Sequence, residues 1–545
     1  MKAPKWIDLS PEEMDALLER VAAGTLIEGD FEIIKAMAET IHVLSQSVDE
    51  KAASIKRLLR MLFGSSTEKA RNVLKNVDQD ESGSEASKRA SDNSEDDTGD
   101  NEDKPDKRKK GHGRNGAAAY TGADKILVPH ADLKSGDRCP DCLRGKVYKL
   151  KIPKVVVRIV GKAPVTARVY TLEKLRCNLC GKIFTAKAPD DIGDDKYDET
   201  AGSMIALLKY GSGFPFYRLD GLQQSLGIPL PASTQWDIVE QAADRIHPVF
   251  HELVRQAAQG DVIYNDDTTM KILELMKNTD HEDDKEEPLR TGMFTTGILS
   301  TSNEWKIGLF FTGRKHSGEN MLDLLQQRAS GRGPPIQMCD ALSRNMPKEL
   351  ETILANCLSH GRRYFVDVVW NFPEQCRYVI ETLAEVYKND EITKEQNMSP
   401  EERLRFHQAE SGPWMEELKL WLNDQLDEKK VEPNSGLGKA ISYMLNHWEP
   451  LTLFLRAPNA PLDNNLCEQV LKKAVLNRKN SLFYKTEHGA YIGDLFMSLI
   501  YTCNLNDVNP FDYLTVLQRN SSQVFKNPQN WMPWNYKSMI PSENQ

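Results

Sequence analysis

The stretch that decides the fold is "DVIYNDDTTMKILEL", residues 261–275, in which an apolar run ends at two adjacent aspartates. An acidic loop follows it, and after the loop come two more strand-like runs, "TGMFTTGILS" at 291–300 and "WKIGLFFTG" at 305–313. Short apolar runs bounded by polar loops are typical of strands. The sequence therefore predicts three consecutive strands, with Asp266 at the end of the first.

A helix and a fourth strand are predicted next. "SGENMLDLLQQRA" at 317–329 has helical spacing, and "PPIQMCDALSRN" at 334–345 contains a short buried-strand candidate that ends in Asp340. Three antiparallel strands, a helix and a further strand ending in an acid match the order of a ribonuclease-H-like fold. In that fold an acid on a later helix joins the two strand aspartates, and Glu468 in "PLDNNLCEQVLKKAVLNRKNSLFY" (461–484) occupies this place.

Three carboxylates that converge from separate elements predict a metal site. Carboxylate oxygens suit Mg²⁺ or Mn²⁺, and two such ions could serve phosphoryl transfer, one at the attacking oxygen and one at the leaving oxygen. The basic residues near Glu468 would then face DNA phosphates, namely Lys472, Lys473, Arg478 and Lys479. The alternative for any single acid is a solvated surface residue, because the chain has 80 Asp and Glu residues. Only the ordered set of three favours catalysis.

Two Cys-x-x-Cys pairs indicate a second kind of metal site. Cys139 and Cys142 in "CPDC" are followed, after runs rich in β-branched residues, by Cys177 and Cys180 in "CNLCG". Four thiolates suit tetrahedral Zn²⁺, and a closed site of this kind is structural. We therefore predict a β-rich zinc ribbon. A redox role is the alternative, but the pairs lack a thioredoxin-like strand and helix.

The N-terminal part carries an apolar heptad stripe. Ile34, Ile41, Val48, Ile55 and Leu62 recur every seven residues, and a second series is offset from them by three. This pattern predicts a parallel coiled coil and hence self-association, and the alternative is one amphipathic helix packed on its own domain. Residues 78–103 then carry eleven Asp or Glu against two Lys or Arg, which predicts a disordered linker. The basic segment "KPDKRKKGHGRNG" after it is a candidate phosphate contact or a solvated tail.

Composition limits the class of protein. A chain of 545 residues is long enough for several domains, and no apolar run approaches the length of a membrane span. The first residues lack the apolar stretch of a secretory signal, so we expect a cytoplasmic protein, associated with the nucleoid if it binds DNA. The net charge of −10 argues weakly against nucleic acid, but the acidic linker contributes much of it. Residues 200–258 read as two helices around a Gly-Ile-Pro turn, either a helix-turn-helix or a plain helical hairpin.

The predicted fold class is multidomain α+β. It combines a ribonuclease-H-like core of mixed sheet and helices, interrupted by a helical insertion, with an N-terminal coiled-coil helix and a β-rich zinc ribbon. The predicted domains are a helical region at 1–75, a linker at 76–124, a zinc ribbon at 125–190, a helical, possibly DNA-binding region at 191–258, the two core parts at 259–364 and 456–515, the insertion at 365–455 and a tail at 516–545.

The chain also resembles a DDE transposase of the insertion-sequence-66 family. The resemblance rests on motifs spread along the chain: "LRMLFGSSTEK", the Cys-x-x-Cys element, "KYGSGFPFYRLD", "YNDDTTMKIL", "CDALSRN", "CLSHGRRYF", the segment around Glu468, "NPFDYL" and "WMPWN". It implies that Asp266, Asp340 and Glu468 are the catalytic acids. The family's usual Asp-Glu-Thr reads Asp266-Asp267-Thr268 here, and we assign metal binding to Asp266. We expect cleavage of element ends and joining to target DNA, with accessory proteins of the same element as further partners.

Two alternatives stay open from the sequence. One is a ribonuclease-H-like nuclease that cuts without joining, and the other is a non-catalytic zinc-containing DNA-binding protein derived from a transposase. Cys357 and His360 in "CLSHGRR" could suggest another metal site, but two ligands three residues apart favour a packing or supporting role. Arg362 and Arg363 beside them are assigned to DNA contacts.

Overall fold

The computed structural model describes residues 20, 21, 30, 31, 33, 132–142, 144–148, 163–176, 183–187, 189, 195–277, 291–347 and 349–540. Residues 86–166 form one compact unit, and residues 1–85 with 167–545 form the other. The predicted heptad stripe, the acidic linker and the basic segment after it lie outside the described residues, so the coiled coil stays a prediction.

The described residues cover parts of the predicted zinc ribbon, namely 132–142, 144–148, 163–176, 183–187 and 189. Strand β1 (Lys174–Arg176) pairs antiparallel with β2 (Ile183–Thr185). Cys177 and Cys180, which lie between these strands in the sequence, are outside the described residues. Within the described part of the runs rich in β-branched residues, Lys174–Arg176 forms a strand, whereas residues 163–173 are in no strand and are mostly exposed.

A mixed five-stranded sheet is the centre of the larger unit. Its strands are β3 (Val262–Thr269), β4 (Phe294–Thr301), β5 (Lys306–Gly313), β6 (Ile336–Cys339) and β7 (Ile353–Asn356). The spatial order is β5-β4-β3-β6-β7, with β3, β4 and β5 antiparallel and β6 and β7 parallel to β3. The three consecutive strands and the later strand before Asp340 are therefore present as predicted, whereas β7 was not foreseen.

Helices pack around the sheet, and they lie before the strands, between some of them and after the last one. Before and between the strands these are α1 (Glu199–Ala206), α2 (Phe216–Ser225), α3 (Ala232–Ala257), α4 (Leu273–Lys277) and α5 (Ser317–Leu325). After β7 come α6 (Leu358–Val368), α7 (Pro373–Glu395), α8 (Pro400–Phe406), α9 (Gly412–Asp427), α10 (Gly436–Asn446) and α11 (Trp448–Leu451). The last four are α12 (Asn465–Ser481), α13 (Glu487–Leu505), α14 (Pro510–Arg519) and α15 (Ser521–Lys526).

Two of the late helices return to the sheet. Helix α12 packs against β3 and β4, and α13 packs along β5. Gly297 of β4 lies so close to α12 that a β-carbon there would be 3.0 Å from Leu471. The chain from α6 to α11 is thus inserted between β7 and the helix that carries Glu468. None of the described helices has the length and apolar character that crossing a membrane requires.

Side chains of α13 satisfy the open edge of the sheet. Asp494, Ser498, Thr502 and Asn506 are spaced four apart on the helix, and they accept hydrogen bonds from the backbone amides of Thr312, Phe310, Gly308 and Lys306. Four residues of helix rise about 6 Å, and two residues of strand rise about 6.8 Å. The similar repeats allow one helix to pair with every outward amide of β5. An edge that could otherwise pair with another chain is covered.

Candidate active site

Asp266 and Asp340 lie side by side because their strands are parallel neighbours. Tyr264 of β3 pairs with Met338 of β6, and extending that register by two residues brings Asp266 level with Asp340. Asp340 follows β6 directly, where the strand has ended and the chain turns. Both carboxylates therefore project at the same end of the two central strands.

The side chain of Asn345 connects the two acids. Its Nδ2 donates to Oδ1 of Asp266 at 3.4 Å and makes a shorter hydrogen bond to Oδ1 of Asp340. Asn345 is fully buried, and its backbone oxygen accepts from the side chains of Asn265 and Gln337, at 2.8 Å each. Among the described residues no donor approaches Oδ2 of either acid. Two carboxylate oxygens are therefore open for a further ligand.

Burial and mutual repulsion make this pair electrostatically unfavourable. The pKa of Asp266 is raised to about 6, first because the carboxyl is buried and then because Asp340 is close by. The amide of Asp267, 2.8 Å from Asp266 Oδ1, and the charge of His360 act in the opposite direction. A group whose charged form is disfavoured by a neighbouring acid is stabilised by a cation.

Asp267 has a different role from Asp266. Successive residues of a strand point to opposite faces, and the Asp267 side chain is only 1% exposed. His316 Nδ1 lies 3.1 Å from its Oδ2, and Arg344 lies 3.3 Å from its Oδ1. The carboxylate of Asp267 therefore contacts two basic side chains. The short turn Ser343–Asn345 supplies Arg344 to Asp267 and Asn345 to Asp266.

Glu468 lies in the first turn of α12, which is seated over β3 and β4. Asn464, at the helix start, donates to the backbone oxygen of Asn265 at 3.5 Å, and the Cys467 thiol donates to the oxygen of Gly297 at 3.3 Å. Gly297 is the strand partner of Asp266. The buried thiol of Cys467 has its pKa raised by burial first and then by the charges of both Asp266 and Glu468.

The structure thus brings two acids together and places the third on the helix next to them. Within the described residues no three His, Cys, Asp or Glu side chains are grouped closely enough to hold a metal ion. Neither Asp266 nor Asp340 shares a hydrogen bond with Glu468 in the part of the chain that the structure describes. The acids are positioned by separate elements, and the backbone contacts of α12 fix the helix that carries the third.

Cys357 and His360 do not form a pair of ligands. The buried Cys357 sulfur accepts from the amide of Asn464 at 3.2 Å and lies 3.0 Å from Ser359 Oγ, so it fastens α6 to the start of α12. His360 acts electrostatically on Asp266, and its buried Nδ1 has no hydrogen-bond partner among the described residues. The geometry supports a packing role for Cys357 and places His360 beside the acids.

The predicted DNA-contacting residues occupy different environments. Lys472 and Lys479 on α12 and Arg363 on α6 are exposed, whereas Lys473 and Arg362 are half-buried. Arg478 is held against the end of β3, with its guanidinium 3.1 Å from Thr268 Oγ1 and 2.6 Å from Thr269 Oγ1. Arg478 therefore joins α12 to the strand of Asp266.

The first Cys-x-x-Cys pair forms a tight turn in its own unit. The amide of Cys139 donates to Gly145 O at 2.8 Å, and the amide of Gly145 points at Cys142 Sγ at 3.4 Å. The pKa of Cys142 is lowered, chiefly by backbone amides at Gly145 and Arg144 and then by Cys139. Amides that favour a thiolate make it a better metal ligand.

The site contains residues that sequence reasoning missed. Asn345, Arg344 and His316 contact the aspartates, but only Asn345 and Arg344 lay within a quoted motif, "CDALSRN". Their closeness to Asp340 in sequence was a usable signal, because a turn that leaves a catalytic strand returns its polar side chains to the site. His316 carried no such signal.

Comparison with known proteins identifies the family of the chain. The model of the Transposase IS66 family matches residues 196–492, more than half of the chain. The uncharacterized protein y4jD of Sinorhizobium fredii is 26% identical over 523 residues, which cover 92% of this chain and 97% of that protein. The uncharacterized protein y4hP of the same organism is 25% identical over 389 residues, 67% of each chain. The matched region includes the five-stranded sheet, both strand aspartates and Glu468, and the chain belongs to the IS66 transposase family.

Proposed function

We propose that this protein is a DNA transposase that cleaves the ends of its element and joins them to target DNA by metal-dependent phosphoryl transfer. The observation that carries the proposal is the pair of carboxylates on parallel neighbouring strands, with the helix of Glu468 packed over the same strands. The sheet order, three antiparallel strands followed by two parallel ones, supports a ribonuclease-H-like core.

The donor set fits a divalent cation of the Mg²⁺ or Mn²⁺ kind. Asp266 and Asp340 each have an oxygen that no donor approaches among the described residues, burial and the nearby Asp340 raise the pKa of Asp266, and hard cations prefer carboxylate oxygens. Asp266, Asp340 and Glu468 would hold the ion or ions. When bound, the cations supply Lewis acidity and neutralise charge that develops on the phosphodiester.

The chain's own residues position the reactants. Asn345 holds the two aspartates together before a cation binds, and the exposed Lys472 and Lys479 lie on the helix of Glu468, where they can attract phosphates. Little covalent chemistry falls to the protein in phosphoryl transfer, so positioning and charge neutralisation carry most of the catalysis. Structural Zn²⁺ on the four cysteines and a dimer or larger assembly, which would hold two DNA ends, are parts of the same proposal.

The test uses labelled DNA that carries the element ends, incubated with the full chain and Mg²⁺ and scored for nicks and for joined products. We expect both products from the wild type and neither from Asp266→Ala, Asp340→Ala or Glu468→Ala, each still folded and still bound to DNA. Nicks without joined products would favour a nuclease. Normal cleavage by any one variant would remove that residue from the site.

A further inference from the structure

The last residue that closes helix α12 has a strained backbone. Leu482 has φ 68° and ψ −43°, and the amide of Phe483 donates to Ser481 O at 2.9 Å, so Leu482 is the centre of a γ-turn of the rare form with positive φ. Glycine adopts this region without steric cost, whereas a bulky side chain does not. Strain of this kind persists only where the surroundings impose it, and it is concentrated at functional sites.

This strained residue also projects an apolar side chain into solvent. Leu482 is 63% exposed and Phe483 is 37% exposed, and Leu476, two turns earlier on α12, is 39% exposed. Packing against a core therefore does not explain why leucine occupies position 482. We call Leu482 and Phe483 the apolar tip.

Both sides of the apolar tip are anchored. Before it, Ser481 Oγ donates to Asn477 Oδ1 at 3.1 Å and accepts from the buried Lys209 Nζ at 2.5 Å. After it, the buried Tyr484 accepts from Asn477 Nδ2 at 2.7 Å, and its amide donates to Lys271 O at 2.9 Å. The tip cannot fold back without breaking these contacts, so the protein holds it outward.

Among the described residues, basic side chains lie on two sides of the tip. Lys479 and Lys485 are exposed on either side of it in the sequence, and the exposed Arg218 of α2 lies 3.4 Å from Asn480 Oδ1. Arg218 also contacts the hydroxyl of Tyr217, an aromatic residue that is 62% exposed. Two acids lie beyond these cations: the exposed Glu487, and Glu274, whose carboxylate accepts a hydrogen bond from the amide of Glu487. An apolar projection flanked by three cations matches duplex DNA, whose anionic backbone flanks stacked bases.

We propose that the apolar tip is a wedge that enters a base step of the DNA near the cleaved phosphate and unstacks it. The proposal rests on the proposed function, because it takes the DNA to be the substrate of the same core. Apolar side chains inserted between base steps partly unstack them and kink the duplex. Fourteen residues of helix separate Glu468 from Leu482, a rise of about 21 Å. At 3.4 Å per step, the opened step lies within about six base pairs of the cut.

The test measures DNA distortion without cleavage. The full chain is mixed, in EDTA, with a mixed-sequence duplex that contains 2-aminopurine, and with the same duplex carrying a two-base mismatch at that position. We expect the wild type to bind the mismatched duplex at least about five-fold more tightly than the fully paired duplex, because the mismatched bases are already partly unstacked. We also expect the 2-aminopurine fluorescence of the paired duplex to rise on binding.

Leu482→Gly is the decisive variant, with Leu476→Ala as its matched control on the same helix. Glycine relieves the strained backbone and removes the wedge, so we expect a higher Tm together with a preference for the mismatch of less than about two-fold. Leu476→Ala should keep the preference. Phe483→Ala should reduce the fluorescence rise.

Several outcomes would overturn the wedge. One is an unchanged mismatch preference in Leu482→Gly. Another is a lower Tm in that variant, which would show that leucine stabilises the fold. A third is a smaller mass of that variant in light scattering, which would show that Leu482 contacts a second protein chain. Binding of DNA without mismatch preference in the wild type overturns the wedge and leaves the cleavage assay intact. Failure to bind any DNA overturns the proposed function as well.

Discussion

Asp266 and Asp340 share one hydrogen-bond donor, the buried side-chain amide of Asn345. The residues that make this arrangement come from β3, from the end of β6 and from the turn after it. A neutral amide that serves two repelling carboxylates holds them in place in the absence of a cation.

Asn345→Ala should therefore lower the stability of the metal-free protein and increase the rise in Tm that Mg²⁺ causes. Hydrogen bonds to charged groups contribute about 1.5–3 kcal/mol, so we expect a loss of that order in the free energy of unfolding. Added Mg²⁺ should raise the Tm of the variant more than that of the wild type, because the cation replaces the lost donor. The measurement is thermal unfolding in EDTA and in Mg²⁺.

The control for this prediction is Asn320→Ala, which removes a side-chain hydrogen bond to Thr296 Oγ1 of 2.8 Å. It should lower the Tm by a similar amount with and without Mg²⁺. If Mg²⁺ raises the Tm of Asn345→Ala and of the wild type by the same amount, the side-chain amide of Asn345 does not take the place of a cation between the two aspartates.

Substitutions of Asp266 and of Asp267 should have different effects on the Tm and on its rise with Mg²⁺. Asp267→Asn removes the buried carboxylate that Arg344 and His316 contact, and the two cations left behind are 45% and 25% exposed, so the loss is that of hydrogen bonds to a charged group, about 1.5–3 kcal/mol. We expect a lowered Tm that still rises with Mg²⁺. Asp266→Asn should unfold near the wild-type Tm, or above it, and lose the Mg²⁺ response. A Mg²⁺ response that disappears in Asp267→Asn would place Asp267 among the metal ligands.

Asp494 should make stability fall as pH rises. Burial raises its pKa to about 7 from an ordinary 3.8, so between these values the folded chain holds a proton that the unfolded chain has lost. Stability therefore decreases with rising pH through this window, and the full cost of a few kcal/mol is present above pH 7. We expect Asp494→Asn to flatten this part of the dependence of Tm on pH, measured from pH 5 to 8.

The amide oxygen of that variant can still accept from Thr312 N, which lies 2.6 Å from the native carboxylate. Asp494→Leu has no acceptor and should destabilise the fold at every pH. A wild-type Tm that varies with pH in the same way as that of Asp494→Asn would contradict the raised pKa.

Zinc should be bound stoichiometrically by the four cysteines. Cys139→Ser and Cys177→Ser should each release it, since a structural site that loses one thiolate loses most of its affinity. Metal analysis of the purified protein checks this, with Cys376→Ser, a buried cysteine of α7, as the control that keeps its zinc. A purified wild-type protein that contains no zinc would contradict the predicted zinc ribbon.

The heptad stripe should hold two chains together. Ile41→Asp with Val48→Asp would bury two unpaired charges at the seam, which is costly in an apolar contact. We expect a smaller mass in light scattering and loss of coupled cleavage of paired ends, with zinc content unchanged. A mass equal to that of the wild type would mean that the stripe packs within one chain or that the assembly is held elsewhere.

Local patterns in the sequence determined four of the five strands of the sheet, β3 to β6, and the elements that carry the three acids. The short apolar runs that lead to Asp266 and Asp340 form strands, and Glu468 lies on a helix, as predicted. These features depend on residues that are neighbours in the chain. For that reason they can be recognised without a structure.

Tertiary structure alone decided which polar groups meet. Asn345 reaches Asp266 across 79 positions, and Asp494 reaches Thr312 across 182, and no periodicity in the sequence encodes such contacts. The positive φ of Leu482 is held by contacts on both sides of the turn, which no local pattern in the sequence marks. The sequence by itself determined the elements that carry the three acids. The pairing of β3 with β6 decided which charges are shared, and the packing of α12 and α13 on the sheet decided which are covered or left exposed, because those energies depend on distance in space.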